Sequence, residues 1–273
     1  MNDPSERRPP LLDTAQLATL RERLTGASGL LLCLDFDGTL APIVDDPDDA
    51  TMTRAAEALL RRLAGDPDVT VALVSGRSLT DLRERAGLDG VQYAGNHGLE
   101  WDDGSGRTVA EPIRETRPAV ERALGTLREE LADVPGCRVE DKGLTGTVHY
   151  RETPAERTDD VVGTVEDVVT STDGIRCTRG KAIFELRPDV PAGKGRAVER
   201  LREQYPDYVP MFVGDDVTDE DGFRAVADDG IGVLVGDRSD TAASMRVPDT
   251  DGVAMLLAWL IHTFVASPGT RPE

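Results

Sequence analysis

The stretch Gly29-Leu30-Leu31-Leu32-Cys33-Leu34-Asp35-Phe36-Asp37-Gly38-Thr39-Leu40 decides the fold. Its first half is a continuous apolar run without alternation, the pattern of a strand buried on both faces in a parallel sheet. Its second half turns polar at once, with two carboxylates at a spacing of two and then a glycine turn. The same succession recurs twice. Val69-Thr70-Val71-Ala72-Leu73-Val74 runs into Ser75-Gly76-Arg77, and Met211-Phe212-Val213 runs into Gly214-Asp215-Asp216. Ile231–Val235 is a fourth apolar run. Helical periodicity lies near 14–25 and over Arg54–Ala64 and Lys194–Gln204. Strands alternating with helices imply an α/β, doubly wound parallel sheet with right-handed crossovers. Ligands of such sheets bind at the carboxyl ends of the strands, so the three polar strand ends converge on one edge.

Between about residues 98 and 188 the pattern changes. A helix is expected over 118–132, a hairpin from 137–142 and 144–151, a helix over 154–171, and a second hairpin around Gly180. This weak internal repeat fits a small inserted α/β domain. With a period of two, Glu140 and Lys142 share one strand face, and His149 and Arg151 share another. In the last strand Lys181, Ile183, Glu185 and Arg187 oppose Ala182, Phe184 and Leu186. One face of the inserted sheet is therefore apolar and the other rich in charge, either a solvated surface or a binding surface.

The composition narrows the class. With 273 residues, 39% hydrophobic content and 27 glycines, the chain suits a soluble globular protein. No run approaches the ~20 apolar residues that span a bilayer, and the polar, proline-rich N-terminus lacks an apolar signal core. Cys33, Cys137 and Cys177 have no metal-ligand spacing and read as small hydrophobes in a reducing cytoplasm. A net charge of −20 argues against nucleic acid or an anionic membrane as partner, since both need a basic face. Lysine is scarce, at Lys142, Lys181 and Lys194 alone against 28 arginines. A salty cytoplasm or a GC-rich genome would each produce that bias.

Two carboxylates at spacing two after a buried strand can divide one reaction. Asp35 suits a nucleophile that accepts a phosphoryl group, and Asp37 a group that protonates the leaving oxygen and then deprotonates water. Gly38 and Thr39 offer backbone N–H groups to phosphate oxygens. A calcium loop would need further oxygens at alternate positions, and the residues that follow here are Thr39, Leu40 and Ala41. Ser75 can donate a hydroxyl to phosphate. Lys194, within Pro191-Ala192-Gly193-Lys194-Gly195, is not part of a Walker A loop and suits a point charge on the transferring group. Five carboxylates fall within residues 215–221, crowding that calls for a cation. Mg²⁺, held by Asp35, Asp37, Asp215 and Asp216, fits the oxygen-only donor set. Asp219 to Asp221 read as an acidic helix start.

Taken together, Asp35-Phe36-Asp37-Gly38-Thr39, Ser75, Lys194 and Gly214-Asp215-Asp216 resemble, in order, the four motifs of the haloacid-dehalogenase-like (HAD) superfamily, and the insertion resembles its C2-type cap. The strings LDFDGTLAPI, VSGRS, YAGNHGLE, VEDKGLTGTVHYR, FELRP and GDDVTDEDGF make the chain similar to trehalose-6-phosphate phosphatases over residues ~30–262. The resemblance implies a Rossmann-like core, at 11–98 and 188–266, with an inserted cap at 99–187, flanked by a disordered arm at 1–10 and a tail at 267–273. It implies Mg²⁺-dependent hydrolysis of a phosphorylated disaccharide, with Arg77, Asn96, His97, Glu140, Lys142, Arg151 and Glu185 among the substrate contacts. A cytoplasmic monomer is expected. The alternatives are another C2-capped sugar phosphatase, acting on sucrose phosphate or a glycosyl-phosphoglycerate, and a non-catalytic sugar-phosphate sensor.

Overall fold

A computed structural model describes residues 8–109, 111–180 and 182–264. The outer part of the expected arm, the tail and Lys181 lie outside them. The chain divides into two compact units, one of residues up to Arg107 and from Ala192 onward, the other of Thr108–Pro191.

The first elements in chain order are α1 (Thr14–Leu24), β1 (Gly29–Leu34), α2 (Arg54–Ala64), β2 (Val69–Val74), α3 (Leu79–Ala86), β3 (Gln92–Gly95), β4 (Glu100–Asp102) and β5 (Arg107–Val109). The second unit contributes α4 (Glu111–Glu130), β6 (Arg138–Asp141), β7 (Gly146–His149), α5 (Ala155–Ser171), β8 (Ile175–Gly180) and β9 (Ile183–Pro188). The chain then returns through α6 (Lys194–Gln204), β10 (Tyr208–Gly214), α7 (Glu220–Ala225), β11 (Ile231–Val235), β12 (Met245–Val247) and α8 (Thr250–Phe264). Among the described residues no helix is long and apolar enough to cross a membrane.

The large sheet has the order β12-β11-β10-β1-β2-β3-β4-β5. Strands β12 through β3 pair in parallel, and β4 joins β3 antiparallel. All six residues of β1 are buried. Leu30, Leu32 and Leu34 face one apolar cluster with α1, α2, α3 and α8, while Leu31 and Cys33 face the opposite cluster with α6 and α7. The unbroken apolar run thus follows from helices on both faces, each buried leucine contributing about 1.5–3 kcal/mol. Helix α2 follows β1 on one face and α6 precedes β10 on the other, so β1 and β10 flank the point where the winding reverses.

In the smaller unit the order is β6-β7-β9-β8, all antiparallel. Val139, Val148, Phe184, Leu186 and Cys177 pack with α4 and α5. The pairs Glu140↔Thr147, Thr147↔Glu185 and Thr178↔Glu185 place these residues together on the other face.

Three expectations need correcting. Helix α4 starts at Glu111, seven residues before the expected start, and carries Pro118 inside it. Proline forfeits one helical hydrogen bond, and an amphipathic helix closing over a core tolerates that loss. Strand β7 ends at His149, so Arg151 is an exposed turn residue and does not continue the His149 face. Pro9 and Pro10, expected in the disordered arm, accept hydrogen bonds from Arg246 Nε and N at 3.2 and 2.9 Å. A proline lacks only the donor.

Candidate active site

Asp35 leaves the end of β1 with its N–H donated to the Val213 carbonyl of β10, 2.9 Å away, which locks the two strand ends together. Its side chain is buried, as are those of Ser75 and Lys194. Lys194, the first residue of α6, points Nζ at Asp35 Oδ1 (2.8 Å) and at Asp219 Oδ1 (2.7 Å). Asp219 is fully buried, and its second oxygen accepts the backbone N–H groups of Asp215 and Asp216 at 3.0 and 2.9 Å. The acidic loop after β10 is therefore tied to the lysine by a residue that sequence reasoning assigned to a helix start. The signal was present: Gly-Asp-x-x-x-Asp sets Asp219 one helical turn beyond Asp215, folding it back onto the strand end.

One oxygen each from Asp35, Asp215 and Asp219 lie within 4.8 Å of one another. A single ammonium among three carboxylates leaves an excess of negative charge. Burial, opposed by Lys194 and reinforced by Asp219 and Asp215, pushes the Asp35 carboxyl well up. Burial and Asp219 push Asp215 up to about 7. Burial alone would lower Lys194, yet Asp219 and Asp35 raise it. Asp215 Oδ1 is buried without a hydrogen-bond partner, as is the Thr39 hydroxyl. Buried polar atoms are rarely left so, and an orphaned carboxylate oxygen in an all-oxygen cluster fits a hard divalent cation. Asp37 and Asp216, expected among the ligands, are engaged elsewhere. Asp216 is exposed and its Oδ1 accepts from the Val217 N–H at 2.7 Å.

Gly38 adopts φ +78°, and a Cβ there would stand 2.1 Å from Asp215 Oδ2. The turn after Asp35 can approach the acidic loop only because this residue has no side chain. Asp37 lies beside Arg77, whose Nε and Nη2 donate to Oδ2 and Oδ1, both at 2.7 Å. Arg77, expected among the substrate contacts, thus has these two donors on Asp37. Ser75 Oγ accepts the Arg77 N–H at 3.2 Å.

Asn96 and His97 are consecutive non-glycine residues at φ 48° and 57°, in a 3₁₀ turn between β3 and β4. Their amides donate to the Arg77 and Ser75 carbonyls at 2.6 and 2.8 Å, and Asn96 Nδ2 donates to the buried Glu100. Left-handed backbone at such residues costs on the order of 1–3 kcal/mol and marks a shape that the surroundings impose. The His97 ring lies against Gly76, where a Cβ would stand 2.7 Å from Nε2. This contact puts Asn96 and His97 beside the Ser75 loop.

In the smaller unit, Glu140 Oε2 lies 2.8 Å from His149 Nε2. Burial works to raise the Glu140 carboxyl, but His149, Lys142 and Arg138 together hold it below its usual value. Glu185 lies 3.7 Å from Arg187 Nε. Lys142 follows β6 in the turn to β7, its N–H donated to Thr145.

The family model for trehalose-phosphatase matches residues 33–251. The trehalose-phosphate phosphatase of Mycobacterium marinum (strain ATCC BAA-535 / M) is 40% identical over 219 residues, 76% of this chain and 55% of that protein. The chain thus spans about half the length of that curated relative. A crystal structure of a trehalose-6-phosphate phosphatase related protein aligns with a TM-score of 0.77 at 25% identity, covering 87% of this chain and 99% of that one. The Aspergillus fumigatus trehalose-6-phosphate phosphatase, crystal form 3, aligns at a TM-score of 0.65 and 27% identity, covering 92% and 98%.

Proposed function

Because the chain belongs to the trehalose-phosphatase family, within the HAD superfamily, we propose that it hydrolyses trehalose 6-phosphate to trehalose and phosphate. The observation that carries the chemistry is the buried Asp35 carboxylate, fixed at the end of β1 by Lys194 at 2.8 Å. An Asp35 oxygen attacks phosphorus as the ester P–O bond breaks. The bonding pair goes to the sugar oxygen, which takes a proton from Asp37. Water then attacks the aspartyl phosphate, gives its proton to Asp37 and releases Asp35 as phosphate departs.

Asp35 and Asp215 suit Mg²⁺, with the orphaned Asp215 Oδ1 as the clearest free ligand. When bound, the cation polarises the phosphoryl oxygens and offsets the crowded negative charge. Lys194 holds the nucleophile in place, and Ser75, Gly38 and Thr39 supply polar contacts to the phosphoryl group. Glu140, Lys142, Arg151 and Glu185 read the sugar, and Asn96 and His97 hold the Ser75 loop. The free thiols of Cys33, Cys137 and Cys177 suit a reducing cytoplasm.

Phosphate release from a panel of sugar phosphates with Mg²⁺ tests the assignment. Trehalose 6-phosphate should give the highest kcat/KM. A much higher value for another ester would overturn the substrate and leave the chemistry standing.

A further inference from the structure

We propose that Arg77 is a positioning residue for Asp37, holding the carboxylate that exchanges protons during turnover rather than gripping the substrate. The proposal rests on the assignment of Asp37 as the acid–base group.

Every nitrogen of the Arg77 guanidinium is engaged. Besides the two bonds to Asp37, Nη1 donates to Asp81 Oδ2 and Nη2 to the Pro47 carbonyl, each at 2.7 Å. Its Cζ stands 5.7 Å from the centre of the Phe36 ring, and the side chain is 10% exposed. These bonds take four of the five guanidinium N–H groups and face both edges of the fork toward protein oxygens, which leaves a phosphate little of this group to grip. Asp37, by contrast, is 36% exposed and has room to turn away from the reaction without a partner.

The anchor extends beyond the pair. Asp81 lies on α3 four residues after Arg77, and its other oxygen is held by Arg85 Nε at 2.7 Å. Arg85 in turn reaches the Asp48 carboxylate at 3.2 Å and the Asp48 carbonyl at 2.8 Å. Charges alternate from Asp37 through Arg77, Asp81 and Arg85 to Asp48, tying the turn after β1 to the start of α3. A planar fork with two parallel donors fixes the plane of the Asp37 carboxylate as well as its distance, and an ammonium cannot do so. The plane matters because the proton must pass along one lone pair of one oxygen to the sugar oxygen as the P–O bond breaks.

The test uses kcat/KM, which contains only the steps up to departure of the leaving group, for trehalose 6-phosphate and a series of aryl phosphates with Mg²⁺. A poor leaving group needs the proton, and p-nitrophenolate does not. Arg77→Gln and Asp37→Asn should each lose roughly a hundredfold on trehalose 6-phosphate and about threefold or less on p-nitrophenyl phosphate. The double variant should be no worse than Asp37→Asn alone, since Arg77 acts only through Asp37. Arg77→Lys keeps the charge toward Asp81 and should not restore the loss. If Arg77→Gln does not fold, Arg77→Lys carries the same comparison.

Equal losses on all esters from the Arg77 variants, or a further loss in the Asp37→Asn background, would overturn the proposal. If Asp37→Asn itself shows no dependence on the leaving group, the acid–base assignment falls, and the positioning role falls with it.

Discussion

Lys194 and Asp219 form an ion pair at 2.7 Å with 3% and 0% of their side chains exposed. Such a pair offsets its desolvation only when the remaining oxygens are also satisfied, and the second Asp219 oxygen accepts two backbone N–H groups. Asp219 therefore holds both the lysine and the loop that carries Asp215. Replacing it by alanine leaves a buried ammonium with half its partners and two orphaned amides. The expected loss is about 3 kcal/mol, measured as a lowered denaturant midpoint at unchanged slope. A loss below about 1 kcal/mol would return Asp219 to the role of a simple helix start.

Asp35→Asn keeps the shape of the nucleophile and removes its charge. Turnover should fall below about a thousandth of the native rate while the circular dichroism spectrum stays native. Activity above that level would contradict an aspartyl-phosphate route.

Gly38→Ala sets a methyl group against Asp215 at a left-handed φ. Strain of about 1–3 kcal/mol is expected, together with displacement of the acidic loop. In the native protein Mg²⁺ should raise the melting temperature, because an ion that binds only the folded state stabilises it. In the variant that rise should shrink or vanish. A full Mg²⁺-induced shift in Gly38→Ala would place the cation elsewhere.

The pair Glu140–His149 makes a pH-dependent contribution. The folded-state Glu140 pKa lies below its ordinary 4.5. The carboxylate's contribution is therefore present above the ordinary value and is lost as pH falls through the lower folded value. The melting-temperature difference between the native chain and Glu140→Gln should hold at about pH 6 and close toward about pH 3. A difference that persists at low pH would mean that the carboxylate charge is not what matters.

The parallel core was legible because β1, β2, β10 and β11 are apolar on both faces, a pattern that few other environments impose. Asp35, Ser75 and Asp215 followed from the ends of those strands. Strands β3, β4 and β12 are three or four residues long and leave too little periodicity to read. Pro118 hid the first seven residues of α4, since proline more often opens a helix than sits inside one. The Asp37–Arg77 bond joins residues 40 positions apart and depends on the side chains, not on any local pattern. The left-handed turn at Asn96 and His97 carries no glycine at either residue, and the contacts that enforce it come from the Ser75 loop.

The double-sided packing of β1 has a further bearing on catalysis. Asp35 extends a strand that no local opening can release, because its neighbours on both edges and both faces belong to the most protected part of the larger unit. The acidic loop is held beside it by the two backbone bonds to Asp219, and the nucleophile moves only with the whole sheet. The reacting oxygen is thus a fixed datum for whatever binds beside it. Its displacement and the collapse of the fold are a single event.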